Sequence, residues 1–129
     1  MATWDDVRRI ASELPETVEQ AGRTTKWQVR NKLFAWERPL RPSDLAALVE
    51  LGTAAPEGDI LGVRVADEGV KHALIAANPD AIFTIPHFNG YAAVLVLLDR
   101  IEFPELEELI TDSWLLRAPK KLATQFLAG

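Results

Sequence analysis

Cysteine is absent from this chain of 129 residues, and histidine occurs only twice, as His72 and His87. Without thiols, the chain can form no disulfides, thiolate metal sites or cysteine nucleophiles. The absence agrees with a reducing, cytoplasmic location, which we take as the expected one. Two histidines at unrelated positions do not form a ligand set, so we expect no bound metal.

Long apolar runs and common catalytic signatures are also missing. The longest apolar run, Tyr91 to Leu98, is far too short to cross a bilayer as a helix. The charged, amphipathic N-terminus predicts no signal peptide. No glycine-rich phosphate-binding loop and no G-x-S-x-G nucleophile elbow occur. We therefore expect no membrane association, no cofactor, no catalytic residues and no enzymatic activity.

What is present indicates a globular protein with an uneven charge. Apolar residues make up 48% and charged residues 26% of the chain, which predicts a single domain over residues 1–129. Nineteen acidic against fourteen basic residues give a net charge of −5, which disfavours a strong, general nucleic-acid binder. Between Arg23 and Arg41, however, six basic residues occur with one acidic residue. A local basic surface is therefore expected.

Apolar periodicity and turn residues predict the order α, β-β, short α, β, α, β-β, α. Helices are expected at 3–14, 43–51 and 68–78 and from Pro104 to Pro119, and strands around 26–30, 33–37, 60–66, 81–88 and 91–98. Asn31-Lys32 and Asn89-Gly90 are the predicted hairpin turns, and the second suits a type I′ turn. Antiparallel hairpins separated by helices predict an α+β, two-layer domain.

His87 has a catalytic and a structural interpretation. A general base needs a nucleophile or an orienting carboxylate within hydrogen-bond reach, and no acid lies nearer in this stretch than Asp80. Beside the Asn89-Gly90 turn, His87 is more simply explained as a residue that flanks the turn. We favour the structural interpretation.

The acids of the last helix allow two interpretations as well. Glu105, Glu108 and Asp112 are spaced to share one helical face, where carboxylates can hold a hard cation or perform acid–base chemistry. They lie opposite an apolar stripe that ends at Trp114, an arrangement typical of a solvated face. We favour the solvated face.

Two basic segments can bind a partner. Lys26 and Arg30 are predicted on the outward face of a strand, and two-stranded ribbons with such residues can enter a DNA groove. Strand lysines also guard against edge-to-edge pairing. The segment "RAPKKL", from Arg117 to Leu122, can complement a helix dipole or contact phosphate. On spacing alone we favour the guard interpretation for the hairpin, whereas spacing does not separate the two alternatives for the C-terminal segment.

The stretch "YAAVLVLL" is apolar on both faces of its predicted strand. An antiparallel sheet with one face in water normally shows alternation instead. Either a third layer covers the second face or a partner does, and a homodimer is the simplest partner. A protein-interaction or small-ligand module without nucleic-acid binding is therefore the alternative function.

Four phrases resemble the MmcQ/YjbR family in order along the chain: "ASELPETVE", "WQVRNKLFAW", "FTIPHFNGYAAVLVLLD" and "ELEELITDSWLLRAPKKL". The resemblance implies a fold similar to the CyaY/frataxin-like arrangement, an antiparallel sheet with helices packed on one face. It also implies DNA binding in which β-hairpins or loops contact the duplex, here the hairpin from Lys26 to Leu33 and the turn from His87 to Tyr91. Together with the missing catalytic signatures, this predicts a small, non-enzymatic module whose DNA binding is weak and salt-sensitive.

The resemblance and the basic segments together define the candidate site. The candidate nucleic-acid-binding residues, from the basic hairpin and the basic C-terminal end, are Lys26, Arg30, Lys32, Arg117, Lys120 and Lys121. The turn and family-motif positions are His87, Asn89, Gly90 and Trp114.

Overall fold

A computed structural model describes all 129 residues as an α+β fold with five helices and one open, six-stranded antiparallel sheet. The helices are α1 (Trp4–Ser12), α2 (Pro42–Glu50), α3 (Glu68–Ala77), α4 (Phe103–Arg117) and α5 (Lys120–Ala128). The strands are β1 (Thr17–Gln20), β2 (Lys26–Val29), β3 (Lys32–Glu37), β4 (Ile60–Arg64), β5 (Ile82–Phe83) and β6 (Ala93–Leu97), in the sheet order β1-β2-β3-β4-β6-β5. The predicted fold class is confirmed. None of the five helices has the length and apolar character that crossing a bilayer requires.

The larger core, a cluster of 22 buried residues, lies between one sheet face and the main helical layer. Helix α4 contributes the predicted stripe that ends at Trp114, and β4 contributes Leu61 and Val63. The helix caps also follow the sequence, because Thr3 and Asp6 form a capping box on α1 and the Asp67 side chain accepts from the Val70 amide on α3. Local signals therefore define most of this layer.

A smaller cluster of seven buried residues lies on the opposite face of the sheet. Helix α2 contributes Leu48, and a single 3₁₀ turn, Pro86–Phe88, contributes Phe88. These side chains cover Leu95 of β6, which is fully buried. Helix α2 and the 3₁₀ turn thus cover the second apolar face of β6 from within the chain. The apolar face therefore gives no reason to expect a homodimer, which stays a prediction.

A β-bulge in β3 divides its apolar residues between the two faces. Trp27 pairs with Ala35 and Gln28 pairs with Leu33, so Phe34 is the extra residue. Phe34 and Ala35 both join the larger cluster, whereas Leu33 and Trp36 contact the smaller one. The bulge therefore directs Trp36 to the face opposite the main helical layer.

The turn between β2 and β3 lies one residue earlier than predicted. Arg30 and Asn31 have φ angles of 48° and 67°, which are the positive values that a type I′ turn requires. The Arg30 guanidinium forms a forked ion pair with Glu16, with Nη2 at 3.0 Å from Oε2. Arg30 is therefore a turn residue and does not share a strand face with Lys26, which corrects the prediction.

The connection between β5 and β6 is longer than a two-residue hairpin turn. Asn89 has φ −59° and ψ 127° and Gly90 has φ 77°, so they form a type II turn instead of the predicted type I′ turn. The Tyr91 amide donates to the Phe88 carbonyl at 3.0 Å and closes this turn. Because β5 ends at Phe83, the predicted strand over 81–88 is wrong beyond that residue.

Candidate functional site

A cleft of about 930 Å³ opens beside the smaller cluster. The segment before β2, the end of β3 and the turn around Phe88 form its walls. Its basic lining residues are Arg23, Lys26, Arg38 and Arg41. Trp36, Phe88 and Tyr91 contribute aromatic surface, and His87 lies beside them. The cleft therefore combines cations with aromatic rings.

Two residues that line the cleft, Lys26 and Trp36, belong to one row of residues across the sheet. Lys26, Trp36, Gly62 and Leu95 are successive cross-strand neighbours. The Trp36 ring lies across Gly62, where an added Cβ would come within 2.6–2.9 Å of three indole atoms. Glycine is therefore required at this position, because any side chain would push the indole out of the floor of the cleft.

The three aromatic rings contact one another. Trp36 lies 6.4 Å from both Phe88 and Tyr91, and the Phe88 and Tyr91 rings meet edge to face at 5.3 Å. Such edge contacts stabilise aromatic pairs beyond the burial of their area. The Arg64 guanidinium lies 5.0 Å from the Tyr91 ring and donates to its hydroxyl at 3.2 Å. Tyr91, which is 37% exposed, is thus held in place while it lines the cleft.

A buried lysine on α3 holds the turn that carries these rings. Lys71 is 1% exposed, and its Nζ donates to the carbonyls of Phe88 at 2.7 Å and Tyr91 at 2.9 Å. The Glu68 carboxylate lies 3.7 Å away. Lys71 was not among the residues predicted from the sequence. The signal was its spacing: Leu74 and Ile75, three and four residues further along the helix, share its face and pack against the core.

A buried ion pair supports the wall of the cleft. Arg38 Nη2 lies 2.9 Å from Asp44 Oδ2, and both side chains are almost fully buried. The same Asp44 oxygen accepts from the Arg41 amide at 2.8 Å at the start of α2. The Arg38 guanidinium also lies 5.5 Å from the Phe88 ring. Because Asp44 neutralises it, Arg38 serves the structure of the wall and offers little charge to a ligand.

Opposing effects set the pKa of Asp44. Burial raises the pKa of this carboxyl, but hydrogen bonds from the Arg41 amide and from Arg38, with the charges of Arg38 and His87, outweigh burial. The net result is a pKa below the usual value. A carboxyl with a lowered folded-state pKa contributes stability that is present above the unfolded-state pKa, about 4, and is lost as the pH falls through the folded-state value.

Replacing Asp44 by asparagine is therefore expected to lower the free energy of unfolding at neutral pH by about 1–2 kcal/mol. The amide can still accept from Arg41 but leaves Arg38 without its counter-charge. The variant is also expected to lose less stability than the parent below about pH 4. Urea unfolding at a series of pH values measures both effects. Asp5→Asn, at an exposed pair with Arg8, is the control, and an equal change there would contradict the expectation.

Three cations of the cleft have no acidic partner. Arg23, Lys26 and Arg41 are exposed, and no carboxylate lies within ion-pair distance of them. The acid that lines the cleft is Glu37, whose Oε1 accepts from the Thr25 amide at 3.1 Å. The cleft is therefore positive although the whole chain has a net charge of −5. Such a surface attracts anions.

The predicted basic residues do not all meet on one surface. Lys26 lines the cleft, whereas Arg30 and Lys121 line a separate groove of about 300 Å³ together with Glu16. Lys32 and Lys120 are exposed at the starts of β3 and α5, and Arg117 is half-buried at the end of α4. Two free cations of the cleft, Arg23 and Arg41, were absent from the predicted set. The basic excess between these two residues was the signal that indicated them.

The predicted turn and family-motif positions lie in the turn between β5 and β6 and in the larger core. His87 is exposed, and its ring lies 6.1 Å from that of Phe88. Asn89 and Gly90 are the central residues of the type II turn. Trp114 is fully buried in the larger core, where its Nε1 donates to the Pro15 carbonyl at 3.1 Å. Trp114 therefore packs the core and cannot contact a ligand.

The acids of α4 divide between a structural contact and the surface. Glu105 accepts from the Asn78 side chain at 2.7 Å, which ties α4 to the end of α3. Glu108 and Asp112 are exposed. Partial burial, and secondly the charge of Glu108, raise the pKa of Asp112. This face of α4 therefore carries repelling carboxylates and lies apart from the cationic cleft.

Comparisons with known proteins agree in placing the chain. A family model described as YjbR matches residues 12–116. Uncharacterized proteins of Mycobacterium bovis and Mycobacterium tuberculosis are each 61% identical over 129 residues, which is 100% of this chain and 98% of theirs. The crystal structure of a Deinococcus radiodurans protein with a DUF419 domain is similar with a TM-score of 0.65 and 26% identity, covering 90% of this chain and 78% of that one.

Proposed function

The chain belongs to the YjbR family, and from that premise and the cationic cleft we propose that it is a small, non-enzymatic DNA-binding module. The observation that carries the proposal is the set of three exposed, unpaired cations, Arg23, Lys26 and Arg41, around an aromatic floor. Cations of this kind neutralise phosphates and release condensed counterions, which is the main source of affinity for a nucleic-acid backbone.

The charge of the whole chain restricts where such binding can occur. With a net charge of −5, most of the surface repels a polyanion. Arg30, a predicted contact, already pairs with Glu16 and has less charge to offer. Lys32, Lys120 and Lys121 keep free charges outside the cleft. In this proposal the cleft makes the main contact, and these three lysines are the competing cations outside it.

The non-enzymatic part of the proposal rests on the partners of the polar groups in the cleft. His87 has no hydrogen-bonded nucleophile or orienting acid. Glu37 uses one oxygen to cap the Thr25 amide. Activated nucleophiles need a base within hydrogen-bond reach, and the cleft presents no such pair. Binding is therefore the activity that its groups support best.

Two charge-matched triple variants test the proposal. Binding of a labelled oligonucleotide by the parent is expected to weaken about 15- to 40-fold between 50 and 200 mM salt, the effect of about three phosphate contacts. Arg23→Gln/Lys26→Gln/Arg41→Gln is expected to remove most of the affinity and its salt dependence. Fluorescence anisotropy at several salt concentrations measures both.

The control is Lys32→Gln/Lys120→Gln/Lys121→Gln, which removes the same number of positive charges from outside the cleft. It is expected to keep most of the affinity and the salt dependence. If instead this variant loses binding and the cleft variant keeps it, the cleft is not the contact surface. No binding by the parent at low salt to single-stranded or duplex DNA would falsify the proposed function.

A further inference from the structure

Two of the three aromatic rings of the cleft are recessed, and this limits which groups can reach them. Trp36 is 9% exposed and Phe88 is 3% exposed, so they form a floor and do not protrude. Side chains that read a duplex must enter a groove, because stacked bases show only their edges there. Recessed rings cannot enter a groove. A base must therefore leave the stack to contact them.

The chemistry of the cleft also separates a place for a phosphate from a place for a base. The free cations Arg23, Lys26 and Arg41 are exposed, as expected of groups that bind phosphate at a rim. Glu37 lines the wall with a carboxylate, of which Oε2 accepts no hydrogen bond. A carboxylate repels a phosphate, but it can accept a hydrogen bond from the amino group of a base.

The ring most available for stacking is Tyr91. It is 37% exposed, the Phe88 ring and the Arg64 guanidinium contact the ring, and the bond from Lys71 holds its main-chain carbonyl. Base stacking on a fixed aromatic ring tolerates any sequence, since every base has a π-face. The half-buried Leu33 adds apolar surface to the same cleft.

We infer that the cleft receives an unpaired base, with the adjoining phosphates on the rim cations, so that the protein binds single-stranded nucleic acid in preference to duplex. The inference rests on the proposed function and names the substrate class of the same site. A duplex reaches the rim cations but leaves the aromatic floor empty, and it therefore binds through charge alone.

The test compares one labelled oligonucleotide of about 12 nucleotides, within the usual range of site sizes, with the duplex of the same sequence. At equal salt, the parent is expected to bind the single strand about tenfold more tightly or better, which is the scale of one stacked base. Tyr91→Leu is expected to lower single-strand affinity about tenfold and so to remove the preference for the single strand. Tyr91→Phe keeps the ring without the hydroxyl and is expected to keep the preference.

The outcomes distinguish this inference from the function on which it rests. Equal or tighter duplex binding that the cleft triple variant abolishes would overturn the inference and leave DNA binding in place. A single-strand preference that persists in a folded Tyr91→Leu protein would overturn it as well, because the base would then bind elsewhere. No binding of either form removes both. The comparison in the parent protein needs no variant and decides the preference even if Tyr91→Leu fails to fold.

Discussion

Replacing Lys71 by methionine is expected to lower the free energy of unfolding by about 3 kcal/mol. Methionine fills similar space but cannot donate, so the carbonyls of Phe88 and Tyr91 lose their shared partner in a buried place. Both carbonyls keep a backbone hydrogen bond, from the Tyr91 amide and the Ala93 amide, but each loses a bond from a charged donor, and such a bond contributes about 1.5–3 kcal/mol. Relief from burying the ammonium offsets part of this loss. In urea unfolding, the expected change is a lower midpoint with an unchanged slope.

His72→Met is the matched control for Lys71→Met. His72 is the next residue on α3, is exposed and contacts Glu68 at 3.3 Å on the surface. Its replacement is expected to change stability by less than about 0.5 kcal/mol. Equal losses at the two positions would show that helix propensity, and not the hold on the turn, explains the effect. Unchanged stability of Lys71→Met would show that the backbone hydrogen bonds of the two carbonyls are sufficient to hold the turn.

Gly62→Ala is expected to lower the free energy of unfolding by about 2–3 kcal/mol, a large effect for one methyl group. The new Cβ would lie 2.6–2.9 Å from the Trp36 indole, so the ring must move off the sheet. Moving the ring disturbs its contacts with Phe88 and Tyr91 and therefore the floor of the cleft. Urea unfolding measures the loss.

A double-mutant cycle assigns this loss to the indole. In a Trp36→Leu background the clash is absent, and Gly62→Ala is expected to cost less than about 1 kcal/mol. Gly22→Ala is the control for glycine replacement itself, since the nearest contact of its added Cβ is an ordinary 3.6 Å. The same cost for Gly62→Ala in both backgrounds would count against the packing of Trp36 on Gly62.

The helices could be predicted because their signals are local. Thr3 and Asp6 cap α1 from within one turn, and the α4 stripe ending at Trp114 repeats at helical spacing. Strand β1 was not predicted, because Val18 is 58% exposed and the strand shows no apolar alternation. It lies at the sheet edge and pairs with β2 alone, and the bond from Trp27 Nε1 to Glu19 at 2.9 Å joins the two strands.

The turns and the site depended on contacts between distant segments. Arg30 adopts a positive φ that favours asparagine or glycine, while Glu16, fourteen residues away, binds its side chain. The turn at Asn89 differs from its predicted type, and Lys71 holds the carbonyls on either side of it. The basic excess between 23 and 41 indicated a basic surface, but no local pattern placed Tyr91 beside it.

The unequal clusters on the two sheet faces imply that the fold does not open as one unit. Separating α2 and the turn around Phe88 from the sheet exposes the cluster of seven residues and leaves the cluster of 22 intact. Such sub-global opening requires less free energy than complete unfolding. The wall of the cleft that the turn around Phe88 forms thus belongs to the part of the molecule that opens first. A ligand that contacts the turn around Phe88 and the opposite wall of the cleft binds only the closed form. It therefore stabilises this part of the molecule against opening.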